Sequence, residues 1–202
     1  LVANKEDEEK ILPRVSRKGL LDGILIQSGQ IGDVLIDRMS NLDMPVVVIG
    51  SPLHPYEISY IDVDNVNGAY NAVSHLIRLG YRRIATITGL TGGAATADRL
   101  AGFEKALIER GRNPDQSRIG EGAFTEPGGY YAMQQLVAAE PDGVCAGADG
   151  MAVGAMRAIR VAGGSGPEGR LRRPPEPGNQ AGALGRLLFY PMPTLGGKNG
   201  PT

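Results

Sequence analysis

From Gly23 to Val161 short apolar runs alternate with amphipathic stretches, and that alternation restricts the chain to an α/β fold built on parallel sheets. The runs Gly23–Ile26 and Val46–Ile49 carry no polar residue. Such bare runs suit strands covered on both faces, as parallel strands are. Ile61–Val63, Arg83–Thr88, Arg118–Ala123 and Gly143–Ala146 are the further expected strands. Between them, Asp33–Leu42, a helix from an Asp64 or Asn65 cap to Leu79, then Asp98–Arg110, Gly128–Ala139 and Asp149–Val161 read as helices. In the second of these, Val66, Ala69, Tyr70, Val73, Leu76 and Ile77 recur at helical spacing and predict its buried face. Gly80 and Gly111 are expected stops. Ahead of the series, Asn4 can cap a helix towards Lys18, interrupted by Pro13.

The alternation stops at Gly163. The 40 residues from there to Thr202 hold 10 Gly and 7 Pro, a share above 40% and typical of disordered or low-complexity sequence. Only Leu184–Tyr190 keeps any pattern. Arg170-Leu-Arg-Arg173 reads as a solvated charge cluster rather than a nucleic-acid patch. So sharp a break suggests a shifted frame or a splice to foreign sequence. The expected division is residues 1–62, residues 63–162 and a Gly/Pro-rich tail, 163–202, outside the fold.

Most enzyme and cofactor classes lack their residues here. The two histidines, His54 and His75, have no metal-ligand spacing, and the single cysteine, Cys145, excludes an internal disulfide and cysteine-rich zinc sites. Between Val144 and Ala146 that thiol reads as buried in a strand, and His75 as a packed or edge residue of its helix. There is no Gly-x-Ser-x-Gly elbow and no Walker loop. Gly89-Leu-Thr-Gly-Gly93 lies between a strand and a helix, where a phosphate cradle would lie, but lacks the dinucleotide spacing. A nucleotide-dependent enzyme is thus the weakest reading; no cofactor and no metal are expected. A formal net charge of −1 gives no basic field for holding DNA. No apolar run approaches the roughly 20 residues that span a bilayer. Charges from Lys5 to Lys10 stand where a signal peptide needs apolar residues, so the cytoplasm is the expected compartment, although the abrupt Leu1–Ala3 reads as a cut start.

In open α/β sheets ligands lie beyond the carboxyl ends of the strands. That rule nominates Gln27 and Ser28, then Gly50 and Ser51, the loop leading to Arg99, Phe124, and finally Ala148 and Asp149. Guanidinium, amide, hydroxyl, carboxylate and aromatic groups together suit a polyhydroxylated ligand, whose paired hydroxyls bridge planar polar groups while its apolar face stacks on a ring. Each nominee also has a plainer reading. Arg99 fits a solvent-facing helix position, Phe124 fits a core position as well as a stacking platform, Asp149 reads first as an N-cap, and Asp64 as a cap alone.

His75-Leu-Ile-Arg-Leu-Gly-Tyr-Arg-Arg-Ile-Ala-Thr-Ile-Thr-Gly89 and Asp98-Arg-Leu-Ala-Gly-Phe-Glu-Lys-Ala-Leu107 resemble the LacI/GalR family of sugar- and purine-responsive repressors. Asp22-Gly-Ile-Leu-Ile26, Pro45-Val-Val-Val-Ile-Gly50 and Asp149-Gly-Met-Ala-Val-Gly-Ala-Met156 follow in the family's order and spacing, so the resemblance covers roughly Leu1 to Ala162. It implies a two-lobed, periplasmic-binding-protein-like fold with parallel sheets and an incomplete first lobe. It also implies a small sugar or related metabolite in an interlobe cleft, a homodimer, and operator DNA bound through a helix-turn-helix missing from these residues. On the resemblance, Arg99 stands where the family clamps its effector, Phe124 where an aromatic stacks on it, and Gln27 at a first-lobe polar contact. Asp149 belongs to an Asn/Ser-Asp pair that is Ala148-Asp149 here, so one contact often made by the family is absent. A periplasmic sugar-binding protein of a transport system is the alternative that the same fold allows.

Overall fold

Strands without polar residues need hydrogen-bonding neighbours and cover on their faces, and parallel pairing supplies the first of these. The structure is a computed structural model that describes residues 21–27, 38–39, 44–51, 58–162 and 198–199. The helix expected from Asn4, most of Asp33–Leu42, Ser28 and the run Leu184–Tyr190 lie outside the described residues. Two compact units are present, Leu1–Val63 with Leu195–Thr202, and Asp64–Thr194.

In the first unit, β1 (Ile24–Gln27), β2 (Val46–Ile49) and β3 (Ser59–Asp62) are parallel, in the order β1-β2-β3. Period-two alternation sends Ile26 and Val48 into a small core with Met39 and Ile58, while Leu25, Ile49 and Ile61 are exposed. Lys198–Asn199 adds two residues antiparallel to β3, in a stretch whose composition predicts no element.

The second unit is an α/β/α sandwich. Its sheet has the order β5-β4-β6, all parallel, formed by β4 (Ile84–Thr88), β5 (Ile119–Glu121) and β6 (Gly143–Ala146). Helices α1 (Asn65–Arg78) and α2 (Ala94–Ile108) pack together and share a core with Ile84 on one face. Helices α3 (Glu126–Leu136) and α4 (Asp149–Val161) pack together with Ala85, Ile87 and Val144 on the other. Of the expected α1 stripe, Ala69, Val73 and Leu76 are fully buried and Val66, Tyr70 and Ile77 half-buried. Glycine permits the closest helix contacts: a Cβ on Gly102 would strike the Val66 carbonyl, and one on Gly154 the Glu126 carbonyl.

The differences from sequence expectation are local and have causes. Helix α2 begins at Ala94, four residues before Asp98, because Gly93 is already extended and two alanines follow it. The strand expected over Arg118–Ala123 shortens to β5 at both ends. Asp115 accepts from the Ser117 backbone N–H (3.0 Å) and closes a 3₁₀ turn through Arg118, while Ala123 takes a left-handed backbone, φ 51°. Asp149 is the first residue of α4 and not its cap. The cap position belongs to extended Ala148, which has no side chain to bond with, and the Asp149 carboxylate instead lies in the first turn, where it favours the helix dipole.

Candidate functional site

Helix α2, which follows β4, lies on one face of the second unit's sheet, whereas α3 and α4, which follow β5 and β6, lie on the other. The chain therefore diverges at the carboxyl end of β4, and this is where an open parallel sheet leaves a crevice. Arg99, in the second turn of α2, reaches this end. Its Nε donates to Asn65 Oδ1 (2.9 Å) and its Nη1 to the Gly147 carbonyl (2.6 Å). Asn65 begins α1 and is 1% exposed, and Gly147 follows β6, so one guanidinium ties together three separated segments. Charge-assisted donors to two fixed acceptors hold its plane in a single orientation.

Phe124 lies beside it, with Arg99 Cζ 5.8 Å from the ring centroid, within the outer range of a cation–π contact. The ring is held by an unusual turn. Thr88 O accepts from Gly122 N–H (2.9 Å), Gly122 O accepts from Thr125 N–H (3.1 Å), and both intervening residues, Ala123 and Phe124, have positive φ (51° and 57°). Thr125 then caps α3 through Gly128 N–H (3.0 Å). The ring edge lies against the Gly89 backbone, where a Cβ would collide with it and with the Thr96 hydroxyl. That is why the residue after β4 is glycine.

Between Arg99 and the strand ends is a cavity of about 20 Å³, lined by Thr86, Thr88, Thr96, Arg99, Cys145 and Gly147 among others. One water fits such a volume; a sugar does not. Within this unit the site is therefore a wall, not an enclosed pocket. Among the described residues the buried Thr96 hydroxyl has no hydrogen-bond partner. Cys145 is on β6, and burial pushes its thiol up to about 11, against the opposing pull of the Arg99 charge. A neutral thiol is a poor nucleophile. Among the described residues no group of three or more His, Cys, Asp or Glu could hold a metal ion, and no helix is long and apolar enough to cross a membrane.

The structure thus brings Arg99 and Phe124 together. Asp149 is exposed at the start of α4. In the first unit Gln27 ends β1, and Ser51 is bonded through both its N–H (2.9 Å) and its hydroxyl (2.6 Å) to Asp62 Oδ2. Ser28 lies outside the described residues. Sequence reasoning missed Asn65 as the partner of Arg99, having weighed it only as a helix cap, and missed the Gly147 carbonyl. A backbone acceptor leaves no mark in sequence. An Asn directly after the Asp64 cap, starting an apolar stripe, was a usable signal.

Residues 73–169 match the family model of a periplasmic binding protein-like domain. The chain is 37% identical over 152 residues to the HTH-type transcriptional regulator CelR of Thermobifida fusca, covering 73% of this chain and 45% of that protein. To the regulator AglR of Rhizobium meliloti it is 35% identical over 161 residues, 78% of this chain and 45% of that protein. The chain thus spans about half the length of these curated relatives. Among solved structures it superposes on a transcriptional regulator CelR–cellobiose complex with a TM-score of 0.74 at 33% identity, over 79% of this chain and 50% of that one. On the regulator CcpA of Lactococcus lactis the TM-score is 0.71 at 26% identity, over 78% of this chain and 58% of that one.

Proposed function

The chain carries a periplasmic-binding-protein-like domain of the kind found in LacI-family transcriptional regulators, and from that premise we propose that it senses a small sugar. The observation that supports this reading most is the Arg99 guanidinium, fixed by Asn65 and Gly147 beside the Phe124 ring at the carboxyl end of β4. A fixed donor plane beside an aromatic face offers a sugar its two preferred contacts, paired hydroxyls on the guanidinium and C–H groups on the ring. Because both groups are already held, little further side-chain ordering opposes binding.

The same proposal assigns residues 1–62 to a first lobe and 63–162 to a second. It places the ligand between lobes, with Gln27, Ser28 and Ser51 as first-lobe contacts and Asp149 as a further second-lobe contact. A homodimer, and DNA binding by a helix-turn-helix outside these 202 residues, complete the regulator. The cellobiose complex of a similar regulator makes a β-linked glucose disaccharide the first ligand to try.

Calorimetric titration of the protein with cellobiose, and then with a panel of mono- and disaccharides, tests the reading. Saturable binding of at least one sugar is expected. Arg99→Ala should weaken it by about tenfold or more, the loss of one charged hydrogen bond from the ligand. Phe124→Ala leaves the Arg99 tether in place and should weaken binding through the lost stacking surface alone. Unchanged affinity in both variants would sink the assignment.

A further inference from the structure

At the opposite, amino end of the same sheet lies a larger concavity of about 480 Å³, lined by Arg82, Ile84, Leu107, Arg112, Asn113, Asp115 and Arg118. Its three arginines come from three places: the approach to β4, the loop after α2 and the turn before β5. Arg112 is anchored by its Nη1 donating to the Tyr81 carbonyl (2.8 Å). Among the described residues Arg118 Nε is buried without a hydrogen-bond partner, with Asp115 Oδ2 at 3.6 Å, beyond hydrogen-bond reach. Among the described residues Asp115 is the one carboxylate that lines the pocket, and its Oδ1 already accepts from the Ser117 N–H (3.0 Å) and hydroxyl (2.7 Å). Asp142 lies close by, but its oxygens are bonded to the backbone N–H groups of Arg82 and Arg83.

Positive charge in this pocket is therefore neutralised only in part. We propose that it is a second binding site, separate from the sugar wall, for the phosphate group of a small phosphorylated metabolite. Convergent guanidiniums with planar paired donors match phosphate oxygens in geometry as well as charge. The volume exceeds what phosphate alone occupies and falls in the range of metabolite pockets. Duplex nucleic acid is disfavoured, because it needs an extended basic face and the charges here converge into a concavity.

Calorimetric titration of the full chain in chloride buffer with inorganic phosphate and with glucose 6-phosphate, glucose serving as the uncharged control, tests this. Saturable heat with a phosphate-bearing probe is expected and is weakened in Arg82→Gln, whereas any response to glucose, which belongs to the sugar wall, is retained in that variant. Preference for glucose 6-phosphate marks a phosphorylated metabolite as the ligand, and preference for inorganic phosphate marks the free anion. Arg82→Gln, at an exposed side chain, should weaken binding about tenfold with the far-ultraviolet circular dichroism unchanged. Asp115→Asn retains an acceptor for Ser117 and removes the opposing charge, so it should tighten binding several-fold, which a merely structural pocket would not do. No saturable heat up to roughly 10 mM of either probe, a ceiling above which binding is too weak for a specific site, overturns the proposal. So does equal affinity in Arg82→Gln.

Discussion

Gly89 shows how one residue can set a binding surface. It lacks a side chain, so the Phe124 ring can lie on the strand end within reach of Arg99. Gly89→Ala should displace the ring and cost about 1–3 kcal/mol, as overpacking does, measured by urea unfolding. Sugar affinity should fall with it. Ala123 offers the opposite case. Its left-handed φ of 51° costs an L-residue about 1–2 kcal/mol, and glycine removes that cost while adding somewhat less in unfolded-chain entropy. Ala123→Gly should therefore stabilise the protein by up to about 1 kcal/mol; a loss of stability would mean that the alanine methyl packs more favourably than its backbone is strained. Cys145 gives a pH signature. Its thiol titrates near 11 in the fold and lower in the unfolded chain, so between those values the unfolded chain alone has lost the proton. Stability should consequently fall as pH rises above about 9, by at most on the order of 3 kcal/mol, and Cys145→Ala should flatten that part of the profile.

At the scale of elements, helix ends and helix contacts were unequally legible. Asp64 caps α1 as expected, accepting from Asn67 N–H (3.1 Å) and Asn67 Nδ2 (2.7 Å), since cap chemistry is local. Val46–Ile49, Gly143–Ala146 and Asp149–Val161 appear with the bounds that apolar pattern gave them. Strand β5 does not, because its length depends on a turn before it and a left-handed corner after it, neither of which has a hydrophobic period. The close approach of α1 to α2 at Gly102 could not be read either, as one glycine in a helix marks a contact without naming its partner. Gly102→Ala would press a methyl on the Val66 carbonyl and the Ala69 Cβ, separating the helices. A loss of about 1–3 kcal/mol in thermal or chemical unfolding is expected, while far-ultraviolet helicity is retained.

At the scale of the molecule, the two cores flanking the β5-β4-β6 sheet draw every member among the described residues from residues 70–159. A polypeptide of residues 64–162 should therefore fold alone and unfold in one cooperative transition, as a domain with its own core does. A broad, non-cooperative melt would show that this unit depends on the rest of the chain. The alternation of apolar runs and amphipathic stretches by itself determined the α/β class, most elements and the candidacy of Arg99 and Phe124. These follow from local periodicity and from the rule that ligands gather at strand carboxyl ends. Tertiary structure alone decided that Arg99 is held by Asn65 and Gly147, 34 and 48 residues away along the chain, that Phe124 rests on Gly89, and that three dispersed arginines converge at the other end of the sheet. Contacts between distant segments depend on strand order and helix placement, and those are settled by burial of the whole sheet and leave no periodic trace in any one stretch of sequence.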